Sequence, residues 1–233
     1  MNAKQEKEAI PAAAGKPKKK ALLVDDHPIL RAGLVHLVNE QDDLAVCGEA
    51  CNANDAMRLV ESLKPDIAVV DISMEGKSGL ELIKDLRALR PKLPVLVMSM
   101  HDESLYAERA IRAGARGYVM KKAGGDEALR AIRRVLEGNI YLSERMSAQL
   151  LEGLSRARPA KTQSPIEFLT DREFEVFKLI GEGCVTAAVA ERLHISPKTV
   201  DVHRQRLKEK LNLPDGTSLM QHAVRWVETQ NRS

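Results

Sequence analysis

The sequence predicts an α/β domain built on a doubly wound, five-stranded parallel sheet, followed by a small all-α domain of four helices. Three observations predict it. From Ala21 to Glu137, short aliphatic runs alternate with longer segments of helical period. Three of those runs are apolar without a break, as strands covered on both faces are. After Gly138 the strand signals stop, and the rest is polar or helical in period.

Taken in order, the first 20 residues mix Lys, Ala, Pro and Gly without sustained period and read as a disordered basic tail. The strands are Ala21–Val24, Leu44–Glu49, Ile67–Val70, Val95–Met98 and Gly117–Met120. Helices are expected over Ile29–Asn39, Asp55–Leu63, Gly79–Leu89, Ser104–Ala113 and Asp126–Glu137. Ser78 and Glu81 have the spacing of a capping box at the third of these. The first domain therefore covers residues 21–141. Ser143–Leu154 reads as a helix running into the polar stretch SRARPAKTQSP, so residues 142–165 form a linker. Residues 166–233 hold four short helices, divided by Thr170–Glu173, Gly181 with Gly183, Ser196-Pro197 and Pro214–Gly216.

The bulk numbers narrow the class. A chain of 233 residues with 44% hydrophobic composition suffices for two cores. The net charge is +3, but six lysines and two glutamates in the first 20 residues carry +4, leaving the remainder close to −1. A nucleic-acid partner must therefore be argued from local clustering of Lys and Arg. Cys47, Cys51 and Cys184 have neither the number for a disulfide framework nor the spacing of a zinc site. No run of about 18 apolar residues and no signal-peptide pattern occurs. The expectation is a reduced, cytoplasmic protein with no membrane partner.

In doubly wound sheets, ligands bind beyond the carboxyl ends of the strands. Asp25 and Asp26 directly follow the first strand and Asp71 the third, while Ser99 and Lys121 follow the fourth and fifth. Three carboxylates converging on one pocket repel unless a cation neutralises them. Oxygen ligands without Cys or His favour Mg²⁺. A carboxylate beside Mg²⁺ can attack phosphorus to give an acyl phosphate, with a Lys ammonium and a Ser hydroxyl to meet the phosphoryl oxygens. Any one Asp after a strand is more often a turn residue or a cap; four matched strand ends outweigh that reading. His27 and His101 at the same edge read as bystanders.

The segments ALLVDDHPILRAGL, DIAVVDISMEGKSGLELI, VLVMSM and GARGYVMKK, in this order, resemble the receiver domain of response regulators, a flavodoxin-like fold, over about Ala21 to Tyr141. The resemblance implies that Asp71 is the phosphoacceptor. It makes Asp26 a direct Mg²⁺ ligand, Asp25 a ligand mainly through water, and the backbone carbonyl of Ser73 a further ligand. Lys121 would pair with the phosphoryl group; its neighbour Lys122 is the alternative amine, and alternation along the strand favours Lys121. Ser99 and Tyr118 match the hydroxyl and aromatic positions of the family's switch, in which the ring turns into space that the hydroxyl vacates. The sequence departs from the family at Met74-Glu75-Gly76, where Pro commonly stands in place of Glu75.

In the second domain, Val185–His194, a short turn and a helix from Ser196 have the order of a helix-turn-helix. At about 100° per residue, Val200, His203, Leu207 and Leu211 turn inward and Lys198, Val202, Gln205 and Glu209 outward. An outward Val202 suits a thymine methyl and Gln205 an adenine, with Lys198, Arg204, Arg206 and Lys208 for phosphates. From Pro197 to Leu211 there are five Lys or Arg and two Asp or Glu. Charge alone reads as a solvated helix. The segments LTDREFEVFKLIGEG, VAERLHISPKTVDVHRQRLKEKL and SLMQHAVRWVE, however, resemble the LuxR-type helix-turn-helix of the NarL/FixJ regulators. That resemblance places Ser196–Leu211 in the major groove, with Lys198, Thr199, Asp201, Val202, His203, Gln205 and Arg206 as candidate DNA contacts. It gives Leu219, Ala223 and Val227 of the last helix to a dimer.

The function expected is a transcription factor controlled by phosphorylation of Asp71. Its partners are a cognate histidine kinase, promoter DNA, a second copy when phosphorylated, and RNA polymerase. It is not an enzyme beyond its own phosphorylation and slow dephosphorylation. The alternatives are a phosphorylation-independent DNA-binding regulator whose receiver only dimerises, an aspartyl-phosphate phosphatase, and a pure protein-interaction module. A phosphatase would need a second acid near its nucleophile and a substrate cap, neither of which is evident.

Overall fold

The computed structural model describes residues 17–74, 76–148 and 165–231. Most of the expected tail, Glu75 and the linker from 149 to 164 lie outside the described residues. The first domain runs β1 (Lys19–Val24), α1 (Pro28–Asn39), β2 (Leu44–Ala50), α2 (Ala53–Leu63), β3 (Ile67–Val70), α3 (Gly79–Leu89), β4 (Val95–Ser99), α4 (Glu103–Ala113), β5 (Gly117–Met120) and α5 (Gly125–Leu136). Strand β1 starts before the apolar run that predicts it, at Lys19. The Lys19 amide donates to the Asp43 carbonyl and the Lys20 amide to Asp66 Oδ2, both at 2.8 Å, while both side chains stay exposed. The apolar pattern marks burial, and pairing extends beyond it.

All strands are parallel, in the order β2-β1-β3-β4-β5. The chain passes outward from β1 to β2 and then back across to β3, so the winding reverses between β1 and β3. A crevice opens there at the carboxyl ends. Side chains alternate between the two faces as strand geometry requires. Leu22, Val24, Ala68, Val70, Val95 and Val97 pack with α2, α3 and α4, and Ala21, Leu23, Ile67, Val69, Leu96 and Val119 pack with α1 and α5. The Ser78–Glu81 capping box is formed. Past α5, Tyr141 closes against β5: the Tyr118 amide donates to the Tyr141 carbonyl and the Tyr141 amide to the Arg116 carbonyl, each at 2.9 Å.

Residues 144–148 begin the helix expected after Ser143, and its remainder lies outside the described residues. The second domain contains α6 (Asp171–Gly181), α7 (Thr186–Arg192), α8 (Pro197–Lys210) and α9 (Gly216–Asn231). Helix α7 is shorter than expected at both ends, because Val185 is its extended N-cap residue and His194, at φ 50°, already belongs to the turn. Gly181 permits the α6–α9 crossing, since a Cβ there would lie 2.5 Å from the Ala223 carbonyl oxygen. The apolar layer under α2, α3 and α4 continues into this bundle: Tyr106 of α4 meets Phe174 of α6 edge to face, with centroids 5.5 Å apart.

Candidate functional site

The crevice gathers the acidic residues. Asp71, only 3% exposed, is placed by β3 on one side and by α3 on the other. The helix approaches so closely that a Cβ on Gly79 would lie 2.0 Å from the Asp71 carbonyl oxygen, which is why a glycine starts it. Lys121 Nζ lies 2.7 Å from Asp71 Oδ2 and 2.7 Å from Asp25 Oδ2. Asp71 Oδ1 accepts from the Ser73 amide at 3.3 Å. Burial raises the Asp71 carboxyl to about 6, against the pull of Lys121 and with the help of Asp25. Burial lowers Lys121, but its carboxylate partners outweigh that and hold it above the usual lysine value.

His27 joins this group. Its Nδ1 lies 2.7 Å from Asp26 Oδ1, and ligand atoms of Asp25, Asp26, His27 and Asp71 all fall within 4.8 Å of one another. Three carboxylates there exceed the charge of one Lys121 ammonium, so the donor set fits a hard divalent cation. The sequence offered a signal for His27, its place directly after Asp26.

Ser99 is fully buried, and its Oγ accepts from the His101 amide at 3.2 Å. Tyr118 is 1% exposed and its hydroxyl donates to the His101 carbonyl at 3.0 Å. The ring expected to turn inward on phosphorylation is thus already inside. Lys122, the alternative amine, makes no described contact with Asp71, whereas Lys121 does. His101, expected as a bystander, has its Nε2 2.7 Å from Ser73 Oγ and its Nδ1 3.3 Å from Lys178 Nζ of α6. Burial, with Lys178 and Lys121 nearby, pulls this imidazole down to about 4.

Lys178 is one of several bridges between the domains. Arg109 of α4 donates to the carbonyls of Leu169 (3.0 Å) and Ile166 (2.9 Å) and lies 4.0 Å above the Phe174 ring. Lys84 of α3 pairs with buried Asp171 at 2.7 Å, and Arg172 reaches the Gly76 carbonyl at 3.3 Å. A cavity of about 390 Å³ remains between them, with Asp26, His27 and Ser73 on one wall and Arg172, Lys178 and Arg192 on the other. Sequence periodicity carries no sign of these contacts.

Helix α8 is capped by Ser196, whose Oγ accepts from the Thr199 amide at 3.0 Å. Lys198, Asp201, Val202, Gln205 and Arg206 are exposed, with Val202 at 44%. Docking against the first domain leaves this face open. Thr199 is half-buried beside the cap, and His203 is half-buried with its Nδ1 enclosed and without a hydrogen-bond partner among the described residues, so it faces the bundle. Arg204 donates to Thr186 Oγ1 at 3.4 Å and so braces α7. The residues expected at a dimer pack within the described bundle. Leu219 and Ala223 are fully buried, with Ala223 against α6 at Gly181, and Val227 is half-buried. The stripe they form holds the bundle together, and the exposed apolar residue of α9 is Met220, at 47%.

The chain resembles known proteins over both domains. Residues 21–133 match the response regulator receiver domain, and residues 167–223 match the luxR family of bacterial regulatory proteins. The response regulator GacA of Pseudomonas aeruginosa is 34% identical over 206 residues, covering 88% of this chain and 95% of that protein. The nitrate/nitrite response regulator protein NarL of Escherichia coli is 37% identical over 211 residues, covering 90% and 94%. A LuxR-family two-component response regulator from Aurantimonas sp. SI85-9A1, known as a crystal structure, has a TM-score of 0.56 at 34% identity, covering 60% of this chain and 100% of that one. With both halves matched in one order and the relatives aligned almost end to end, this chain belongs to the NarL/FixJ family of response regulators.

Proposed function

We propose that, in the cytoplasm, phosphorylation of Asp71 by a cognate histidine kinase controls pairing of this regulator on promoter DNA, which α8 reads. The observation that carries the reading is the Asp71 carboxylate, buried at a strand end with one oxygen on Lys121 and the other on the Ser73 amide. A carboxylate so held is oriented before the donor arrives, which removes much of the cost of orientation. An Asp71 oxygen attacks phosphorus, the bond to the donor's leaving nitrogen or oxygen breaks, and an acyl phosphate results. Lys121 then follows the new negative charge onto the phosphoryl oxygens, and the Ser99 hydroxyl donates to another. Asp25, Asp26, Asp71 and the Ser73 carbonyl would hold Mg²⁺, an all-oxygen set suited to it, which supplies charge neutralisation at the phosphoryl oxygens. The chain acts on no other substrate; it phosphorylates and slowly dephosphorylates itself.

Residues 21–141 then form the receiver, 142–165 the linker and 166–233 the reader, with a basic tail before them. Lys198, Asp201, Val202, Gln205 and Arg206 meet DNA, and RNA polymerase is the next contact at the promoter. A second reading, DNA binding independent of phosphorylation, is favoured by one observation: the α8 face is exposed without domain movement. Incubation with Mg²⁺ and a small phosphodonor, followed by intact mass, tests the first step. Wild type should gain one phosphoryl group and Asp71→Asn none. A wild type that stays unmodified would leave the second reading standing.

A further inference from the structure

The domain contact nearest to Asp71 is a chain of three groups. Lys178 Nζ lies 3.3 Å from His101 Nδ1, and His101 Nε2 lies 2.7 Å from Ser73 Oγ. An ammonium can only donate, so His101 Nδ1 must accept from it. The ring proton of the neutral imidazole then sits on Nε2 and donates to Ser73 Oγ. Lys178 therefore selects one tautomer of a ring 28 residues from Ser73 in sequence, and that tautomer fixes the Ser73 hydroxyl as an acceptor.

Both ends of the chain are anchored. His101 stacks on Tyr106, with centroids 4.6 Å apart and planes 16° from parallel. Lys178 Nζ sits 5.2 Å from the Tyr106 centroid and 3.6 Å from Glu182 Oε1. At the far end, the amide of the same Ser73 donates to Asp71 Oδ1, the oxygen that Lys121 does not hold.

We propose that Lys178, a residue of the DNA-binding domain, is a positioning residue for phosphorylation of Asp71, acting through His101 and Ser73. This rests on the phosphoacceptor reading above. While the domains are docked, Lys178 holds His101 in one tautomer, His101 holds the Ser73 hydroxyl, and the Ser73 amide stays on Asp71. Undocking releases all three. The coupling is reciprocal, so groups that bind at Asp71 change how firmly the reader domain docks.

The test uses the full chain as wild type, Lys178→Ala, Lys178→Arg, His101→Phe and the Lys178→Ala/His101→Phe double variant. Ring ¹⁵N shifts of His101 at neutral pH report its tautomer, and a small phosphodonor at limiting Mg²⁺ reports the rate of Asp71 phosphorylation. Wild type should show the Nε2–H form. Lys178→Ala should show a tautomer mixture and react roughly fivefold more slowly or worse, the low end of ordinary coupling between sites. Lys178→Arg should restore both readouts. His101→Phe keeps a ring on Tyr106 but loses both nitrogens; it should be as slow as Lys178→Ala, and the double variant no slower. An unchanged tautomer and rate in Lys178→Ala, or additive losses in the double variant, would overturn the proposal. If wild type shows the Nε2–H form but never takes phosphate, the phosphoacceptor reading fails and this inference with it. Failure of the relay alone leaves a phosphorylated wild type.

Discussion

Asp71 is asked to be both buried and charged, and its titration records the conflict. An unfolded Asp titrates near 3.9, while the folded carboxyl titrates at about 6. Between those values the folded state holds the extra proton, so stability falls as pH rises through the window and levels off above it, by at most about 3 kcal/mol. Asp71→Asn removes this titration. In metal-free protein the variant should be more stable than wild type at pH 8 and equal to it at pH 4, measured by denaturant unfolding; equal stabilities at both would mean that Lys121 fully offsets burial. Asp25, Asp26, Asp71 and Lys121 were legible in the sequence because each follows a strand, and strand ends in such a sheet converge. His101 was not legible, because its role depends on Lys178, 77 residues away in another domain. Gly79 was read only as a helix start, since a close backbone approach leaves no periodic trace.

The helices were legible as elements, and their outward faces less so. Period and capping located α3 to the residue and α8 to within one at each end, because Ser78 and Ser196 make the caps their residue types predict. In α9 the period revealed an apolar stripe of Leu219, Ala223 and Val227 but not what covers it. The same stripe suits a partner subunit or a neighbouring helix, and in the structure α6 takes it. This yields opposed predictions for two adjacent residues. Leu219→Ala should lower stability by about 2–5 kcal/mol, as large-to-small changes in cores do. Met220→Glu should leave thermal stability within about 0.5 kcal/mol while weakening dimers, if α9 pairs through its exposed face. Unfolding curves and sedimentation separate the two effects. On α8, charge reversal at Lys198 and Arg206 should weaken binding to promoter fragments and flatten its salt dependence, because both side chains are exposed and neither helps to hold the bundle.

At the scale of the whole molecule, the two domains share one apolar layer and a set of charged straps. Among the described residues Arg109 is the strap with most partners: two carbonyls, the Asp171 carboxylate and the Phe174 face. Arg109→Ala should loosen docking by about 2 kcal/mol, the scale of charge-assisted hydrogen bonds, seen as faster limited proteolysis of the full chain and a larger radius in solution. An unchanged radius and cleavage rate would mean that the apolar layer alone sets the docking. Two domains were legible from the change of period after Gly138, but their mutual arrangement was not, because interdomain contacts obey no local spacing. That arrangement leaves the reading face of α8 open, so on this account phosphorylation governs pairing more than access to DNA. The direct measurement is the oligomeric state and promoter binding of wild type and Asp71→Asn, each with Mg²⁺ and with or without a small phosphodonor. The account predicts that phosphorylated wild type alone dimerises and binds paired half-sites more tightly; equal binding by both proteins, with or without donor, would contradict it.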